Sequence, residues 1–153
     1  TESATTKTLF PILCWNDYSI LPMITHNIDN ASSKVLIGDN ALRWLQSDST
    51  WPVVIDLGEW WFKTTGAPFV FARWMMHRRL DHSEIALILE WLAQCISVAS
   101  GKNGEITLYN KAKDVMQSRE WASTYFCNLR YRLTDQDETG EQHFLDLLFT
   151  CAV

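Results

Sequence analysis

Three hydroxyl side chains, Ser3, Thr5 and Thr6, open a segment in which Leu9, Phe10 and Leu13 recur at helical spacing. A helix start carries unpaired backbone N–H groups and the positive end of the helix dipole. Hydroxyls clustered there suit a carboxylate. The same residue types are ordinary N-caps, and one segment can fill both roles. A second polar pair, Gly38-Asp39, follows the apolar run Val35-Leu36-Ile37, a position where α/β proteins place ligand groups. Asp39 reads as a cap for its own helix or as a group that orients a bound molecule. Gly38 reads as a left-handed turn or as a point of close backbone approach.

Other chemistries find little support. Asp56, Gly58, Glu59 and Trp60 form a motif-like cluster, explained as well by a hinge as by catalysis. Adjacent Trp60 and Trp61 cannot share one helix face, so at most one of them lines a pocket. Arg73 and Arg78 flank a third apolar run and could attract an anion, with Arg78 reading more simply as solvated surface. His26, His77, His82 and His143 lack metal-ligand spacing, and Cys14, Cys95, Cys127 and Cys151 lie far apart without a CxxC pair. No zinc site is expected, and there is no phosphate loop, Gly-x-Ser-x-Gly or dinucleotide fingerprint.

The elements that must carry these residues alternate in type. A helix is predicted from Ser3 to about Trp15, with Pro11 as a local conflict. Short strands are predicted at Ile20–Ile24, with Pro22 favouring an edge, at Val35–Ile37, at Val53–Ile55 and at Phe69–Ala72. Asp29–Ser33 reads as a loop. A short helix follows Gly38-Asp39 through Leu45, and another holds Trp60, Trp61 and Phe62 and ends at Gly66. Asp81 and Glu84 have capping-box spacing ahead of Ile85, Ile88, Leu89, Leu92, Ile96 and Ala99, a stripe that reads as core. Helices are predicted at Lys111–Gln117, Glu120–Tyr131 and about Thr139–Phe149, with Thr134–Gly140 a polar connector. The pattern is that of an α/β protein.

Composition sets the class. Of 153 residues 47% are apolar and 20% charged, which describes a globular chain with a sizeable core. A net charge of −5 with scattered basic residues excludes a nucleic-acid footprint. No apolar run is long enough to span a bilayer, and buried free thiols suit a reducing cytoplasm.

The stretches Ser3-Ala4-Thr5-Thr6-Lys7-Thr8-Leu9-Phe10, Ile37-Gly38-Asp39-Asn40-Ala41-Leu42, Asp56-Leu57-Gly58-Glu59-Trp60 and Thr65-Gly66-Ala67-Pro68-Phe69-Val70-Phe71-Ala72 stand out together. In this order they resemble the menaquinone (futalosine-pathway) biosynthesis family, and within it chorismate dehydratase. A weaker C-terminal pattern adds Tyr131, Leu133, Gly140, Phe144, Leu147 and Leu148. Thr6 stands where the family has Ser, and Lys7 where it has an apolar residue. A sister family, the cyclic dehypoxanthine futalosine synthases, has a catalytic His at the position of Gly38, so Gly38 points to the dehydratase.

The resemblance implies a type II periplasmic-binding-protein-like fold with two lobes. Residues 1–50 would belong to the second lobe, including its anion-binding helix. Residues 51–153 would hold the hinge return, a strand and the C-terminal helices of the first lobe. It implies a lyase that converts chorismate to 3-[(1-carboxyvinyl)oxy]benzoate with no cofactor and no metal, with Ser3, Thr5, Thr6, Gly38 and Asp39 as substrate-binding residues. The family's catalytic Tyr-Leu-Asn segment has no counterpart here, and no residue is assigned to remove the proton. The chain starts at Thr1, inside the family's pattern, and reads as part of a longer polypeptide, active only when complete. The expected partner is a small carboxylate substrate, with neither nucleic acid nor membrane, and a homo-oligomer if truncated apolar surface needs cover. A non-catalytic solute-binding module or an inactive fragment of the same fold are the competing readings.

Overall fold

The computed structural model describes residues 3–25, 31–47 and 51–151, without the side chains of residues 102, 103, 105 and 151. These residues form seven helices: α1 (Ala4–Tyr18), α2 (Gly38–Leu45), α3 (Leu57–Thr65), α4 (His82–Ala99), α5 (Lys102–Ala112), α6 (Arg119–Cys127) and α7 (Asp135–Cys151). Among the described residues there is no strand. Two compact units emerge, one of residues 1–41, 48–72 and 133–153, the other of residues 42–47 and 73–132.

The first unit is built on α1, α3 and α7. Ser3 caps α1, which runs through Pro11 and stops at Ser19, whose φ of 55° is left-handed and whose N–H reaches the Cys14 and Trp15 carbonyls. The helix outlasts its proline because α1 is anchored along its length: Leu9 and Leu13 are fully buried against Trp61 of α3. Asp56 caps α3 by accepting the Glu59 N–H at 2.8 Å, and Gly66 ends it at φ 71°. Leu57, Phe69, Phe144 and Leu147 close over the core, and the rings of Phe69 and Phe144 meet Trp61 edge-on at 5.3 and 6.1 Å.

The polar stretch from Thr134 is the start of α7 and not a connector. Asp137, only 4% exposed, accepts both the Thr134 N–H at 2.8 Å and its hydroxyl at 2.7 Å. A Thr followed three residues later by a carboxylate is a helix-start signature with Asp in place of Glu. Gly140 then lets α7 lie directly on the Pro68 carbonyl.

The four predicted strands are irregular segments. Leu21 and Met23 are 68% and 91% exposed, and Val53, Val54 and Ile55 are 70%, 58% and 55% exposed. Val35, Leu36 and Phe71 also face solvent. An apolar β-prone run becomes a strand only where a neighbour takes up its N–H and C=O groups, and no described segment does so here. Among the described residues the helical part of the α/β expectation is therefore present, and its sheet is not.

In the second unit the capping box of α4 is complete. Asp81 accepts from the Ser83 and Glu84 N–H groups at 2.8 and 2.9 Å, and Glu84 accepts from the Asp81 N–H at 2.9 Å. Yet α4 has no buried residue: Ile85, Ile88, Leu92, Ile96 and Ala99 are half-buried, Leu89 is 53% exposed, and the stripe does not form a core. Its packing partner is α5. Gly104 sits so close to the Val98 and Ala99 carbonyls that a side chain there would collide with them.

The expected helix at Lys111–Gln117 is replaced by the end of α5 and a turn. That turn is held by Gln46, which donates to the Val115 carbonyl at 2.8 Å and accepts the Gln117 N–H at 2.6 Å. A glutamine 71 positions away supplies the bond that local spacing cannot reveal. The expectation of buried thiols holds for Cys14 alone; Cys95 and Cys127 are exposed, and the side chain of Cys151 lies outside the described residues. His26 and part of the Asp29–Ser33 loop also lie outside them.

Candidate functional site

The start of α1 carries the three hydroxyls expected from sequence. Ser3 is the N-cap, with its Oγ accepting the Thr6 N–H at 3.4 Å, and Ser3, Thr5 and Thr6 are all half-buried. Thr8 turns its hydroxyl back onto the Ala4 carbonyl at 3.0 Å and is unavailable to a ligand. The first turn of α1 contains no acidic residue. The positive end of this helix is therefore left without an internal counter-charge in that turn.

Gly38 and Asp39 lie at the start of α2 and are exposed. Gly38 has a φ of 55°, and nothing comes within 4 Å of where a side chain would begin. The left-handed turn is thus the reading that the backbone adopts. Among the described residues, no hydrogen bond or ion pair joins Ser3, Thr5 or Thr6 to Gly38 or Asp39, and the helices that pack on α1 are α3 and α7. The structure places the two groups at two separate helix starts.

Asp56 is engaged as the cap of α3, and Gly58 makes room for the Phe71 ring, 3.1 Å from where its side chain would begin. Of the tryptophan pair, Trp61 is core. Trp60 donates its indole N–H to Asp17 Oδ2 at 2.6 Å and packs its ring 5.8 Å from Tyr18. The Thr64 hydroxyl donates to the same oxygen at 3.0 Å, and Asn16 donates to the other at 2.8 Å. Asp17 was not legible as a functional residue in sequence, since its partners lie more than 40 positions away.

The Trp60 indole is the main reason that the Asp17 carboxyl sits below its ordinary value of 3.8; partial burial opposes this, and Asn16 and Thr64 add to it. A depressed carboxyl stabilises the fold fully above its unfolded value and ceases to do so as pH falls through the lower native value. Asp17→Asn is therefore expected to melt at a lower temperature than the unmodified chain at pH 7. The gap should narrow as pH falls below the ordinary carboxylate value and close only below the lower native value, where Asp17 is itself protonated. A gap that persists unchanged in acid would show that the carboxylate charge is not what holds α1 to α3.

Arg73, Arg78, His77, His82 and His143 are exposed, and His77 Nδ1 accepts the Arg79 N–H at 3.1 Å within its own turn. A hollow of about 180 Å³ in the second unit is lined by Arg43, Gln46, Lys113, Asp114, Met116 and Gln117 among others, and holds none of the residues expected to bind substrate. Arg43 and Lys113 stand there at the C-terminal ends of α2 and α5, where cations answer the free carbonyls. Among the described residues no His, Cys, Asp and Glu cluster could hold a metal ion, and no helix is long and apolar enough to cross a membrane.

The expected site residues thus include a hydroxyl-rich start of α1, a helix packed against an aromatic core. Its sequence neighbourhood is the one that a family model described as Menaquinone biosynthesis matches, over residues 1–150. The chain belongs to the menaquinone biosynthesis family. No curated protein and no solved structure matches it. As a menaquinone biosynthesis family member it is matched along both compact units, from the hydroxyls of α1 to the last turn of α7.

Proposed function

We propose that this menaquinone biosynthesis protein is a chorismate-dehydratase-like lyase, which converts chorismate to 3-[(1-carboxyvinyl)oxy]benzoate. In that reaction a ring carbon gives up a proton, a ring hydroxyl departs, and the two leave as water. Aromatisation drives the step, so the protein's task is to orient the substrate and place charge. The complete protein would take the type II periplasmic-binding-protein-like fold, with residues 1–50 in the second lobe and 51–153 in the hinge return and the first lobe.

The observation that carries this reading is the start of α1. Three half-buried hydroxyls stand at a helix end whose first turn has no acid of its own. Such an end attracts a carboxylate even within a chain of net charge −5, because main-chain N–H groups and the dipole act at short range. Gly38 and Asp39 would meet the substrate from the start of α2. Gly38 in place of a histidine favours the dehydratase over the futalosine cyclase of the same pathway.

Two measurements test the proposal. The complete, folded protein incubated with chorismate is expected to release the aromatic product, followed by absorbance and by mass; a complete, folded protein that yields none overturns it. Ser3→Ala combined with Thr6→Val is expected to weaken chorismate binding roughly tenfold or more, the worth of a hydrogen bond to a charged group. Unchanged affinity would remove the α1 start from the site.

A further inference from the structure

The hollow beside the end of α2 lies wholly within the second unit and measures about 180 Å³. Its frame is fixed by one glutamine. Gln46 donates its side-chain amide to the Leu42 and Val115 carbonyls at 2.7 and 2.8 Å, and its Oε1 accepts the Gln117 N–H at 2.6 Å. Gln117 answers by donating its own amide to the Gln46 carbonyl at 3.0 Å. The turn between them is closed by the Val115 and Met116 N–H groups, which both reach the Ala112 carbonyl at 2.8 Å. The walls are therefore set before any ligand arrives, which lowers the ordering cost of binding.

Those walls carry two cations and one acid: Arg43 from α2, and Lys113 and Asp114 at the end of α5. Among the described residues none of these three side chains makes a hydrogen bond or an ion pair. The helix C-termini beside them thus leave the guanidinium and the ammonium free to bond elsewhere. The cations outnumber the acid, so the hollow favours a negative charge although the whole chain carries −5.

The rest of the lining is partly apolar. Met116 is only 2% exposed, and Val115 beside it is half-buried. An inorganic anion would leave that surface unused. A carboxylate on a small apolar body uses both parts: Arg43 and Lys113 take the charged end, and the soft Met116 thioether suits an aromatic or aliphatic remainder. The volume is well below the roughly 300 Å³ at which sites for drug-sized ligands begin, so the occupant is compact.

We propose that this hollow is a binding site for a small organic carboxylate, gripped by Arg43 and Lys113 over Met116, separate from the start of α1 and independent of its reading. Benzoate titrated into the full chain, followed by ¹H–¹⁵N NMR, is expected to shift the amide signals of Gln46, Met116 and Gln117 saturably and to leave those of α1 in place. Arg43→Gln combined with Lys113→Gln should weaken binding roughly tenfold or more, the worth of hydrogen bonds to a charged group. Asp114→Asn should tighten it, because a repelling charge leaves the wall. All three positions are exposed, so the fold should tolerate these changes, and unaltered spectra away from the hollow would verify it. No saturable shift at millimolar benzoate overturns the proposal, as do shifts centred on α1 or an affinity indifferent to the lost cations. Inorganic phosphate bound as tightly as benzoate would show that the apolar lining plays no part, and overturns it equally.

Discussion

Trp61→Ala is expected to destabilise the first unit by about 3–5 kcal/mol, the range for deleting a large aromatic side chain from a packed core. Trp61 is fully buried, and Leu9, Leu13, Phe69 and Phe144 all lean on it, so the void would lie where α1, α3 and α7 meet. A loss of that size is comparable to the whole stability of a small domain. Urea unfolding followed by circular dichroism at 222 nm should show the first unit's transition shifted to low denaturant or absent. Trp61→Phe is a sharper probe. The indole N–H of Trp61 is buried with no hydrogen-bond partner, which costs about 1–3 kcal/mol of desolvation in the native protein. Phenylalanine removes that orphan donor along with some volume, so its net cost should be about 1–2 kcal/mol, well short of the alanine value. Equal losses in both variants would mean that aromatic packing contributes little and that the core is already loose.

Gly140→Ala carries the second large effect. A single methyl at this position collides with the Pro68 carbonyl oxygen and touches the Ala67 side chain at 3.4 Å. The obstacle is backbone that is pinned on one side by the left-handed cap at Gly66 and on the other by Phe69 in the core. It cannot step aside as a flexible side chain would, so α7 must move outward and lift Phe144 and Leu147 from Trp61. The expected loss is about 1–3 kcal/mol, although alanine is the better helix former. Thermal unfolding of Gly140→Ala against the parent decides it. A variant as stable as the parent, or more so, would mean that helix propensity outweighs the contact and that α7 does not press on the Pro68 turn.

These two residues show where a sequence is legible. Gly140 stands out as part of a C-terminal pattern with Phe144, Leu147 and Leu148. The reason for a glycine there, the Pro68 carbonyl, lies 72 positions away and becomes visible only when α7 packs. Trp60 and Trp61 behave alike: adjacent helical positions must part company, but which of them enters the core depends on Leu9 and Leu13 of another helix. The start of α7 was open to reading from Thr134 and Asp137 alone, and its polar composition concealed it behind the appearance of a connector.

The candidate site divides in the same way. The hydroxyls of Ser3, Thr5 and Thr6 announce a helix start because capping is settled within four residues. Whether Gly38 and Asp39 share a pocket with them is a question of distance between helices, and the structure sets the two groups on separate helix starts. The Asp17 bridge to Trp60 and Thr64, which fastens α1 to α3, has no local signature at all.

By itself the amino-acid order determined the helix ends that rest on near neighbours: Asp56 and Gly66 around α3, Asp81 with Glu84 ahead of α4, and the Ser3 cap of α1. It also determined family membership, through motifs spread over residues 1–150. Tertiary structure decided the rest. It left Val53–Ile55 and Ile20–Ile24 exposed and irregular, since a strand exists only when another chain segment accepts its hydrogen bonds. It kept Cys14 inside while Cys95 and Cys127 face solvent, and it left Leu87, Leu89, Trp91 and Val98 of α4 exposed, since burial belongs to the packing of helices and not to any one of them.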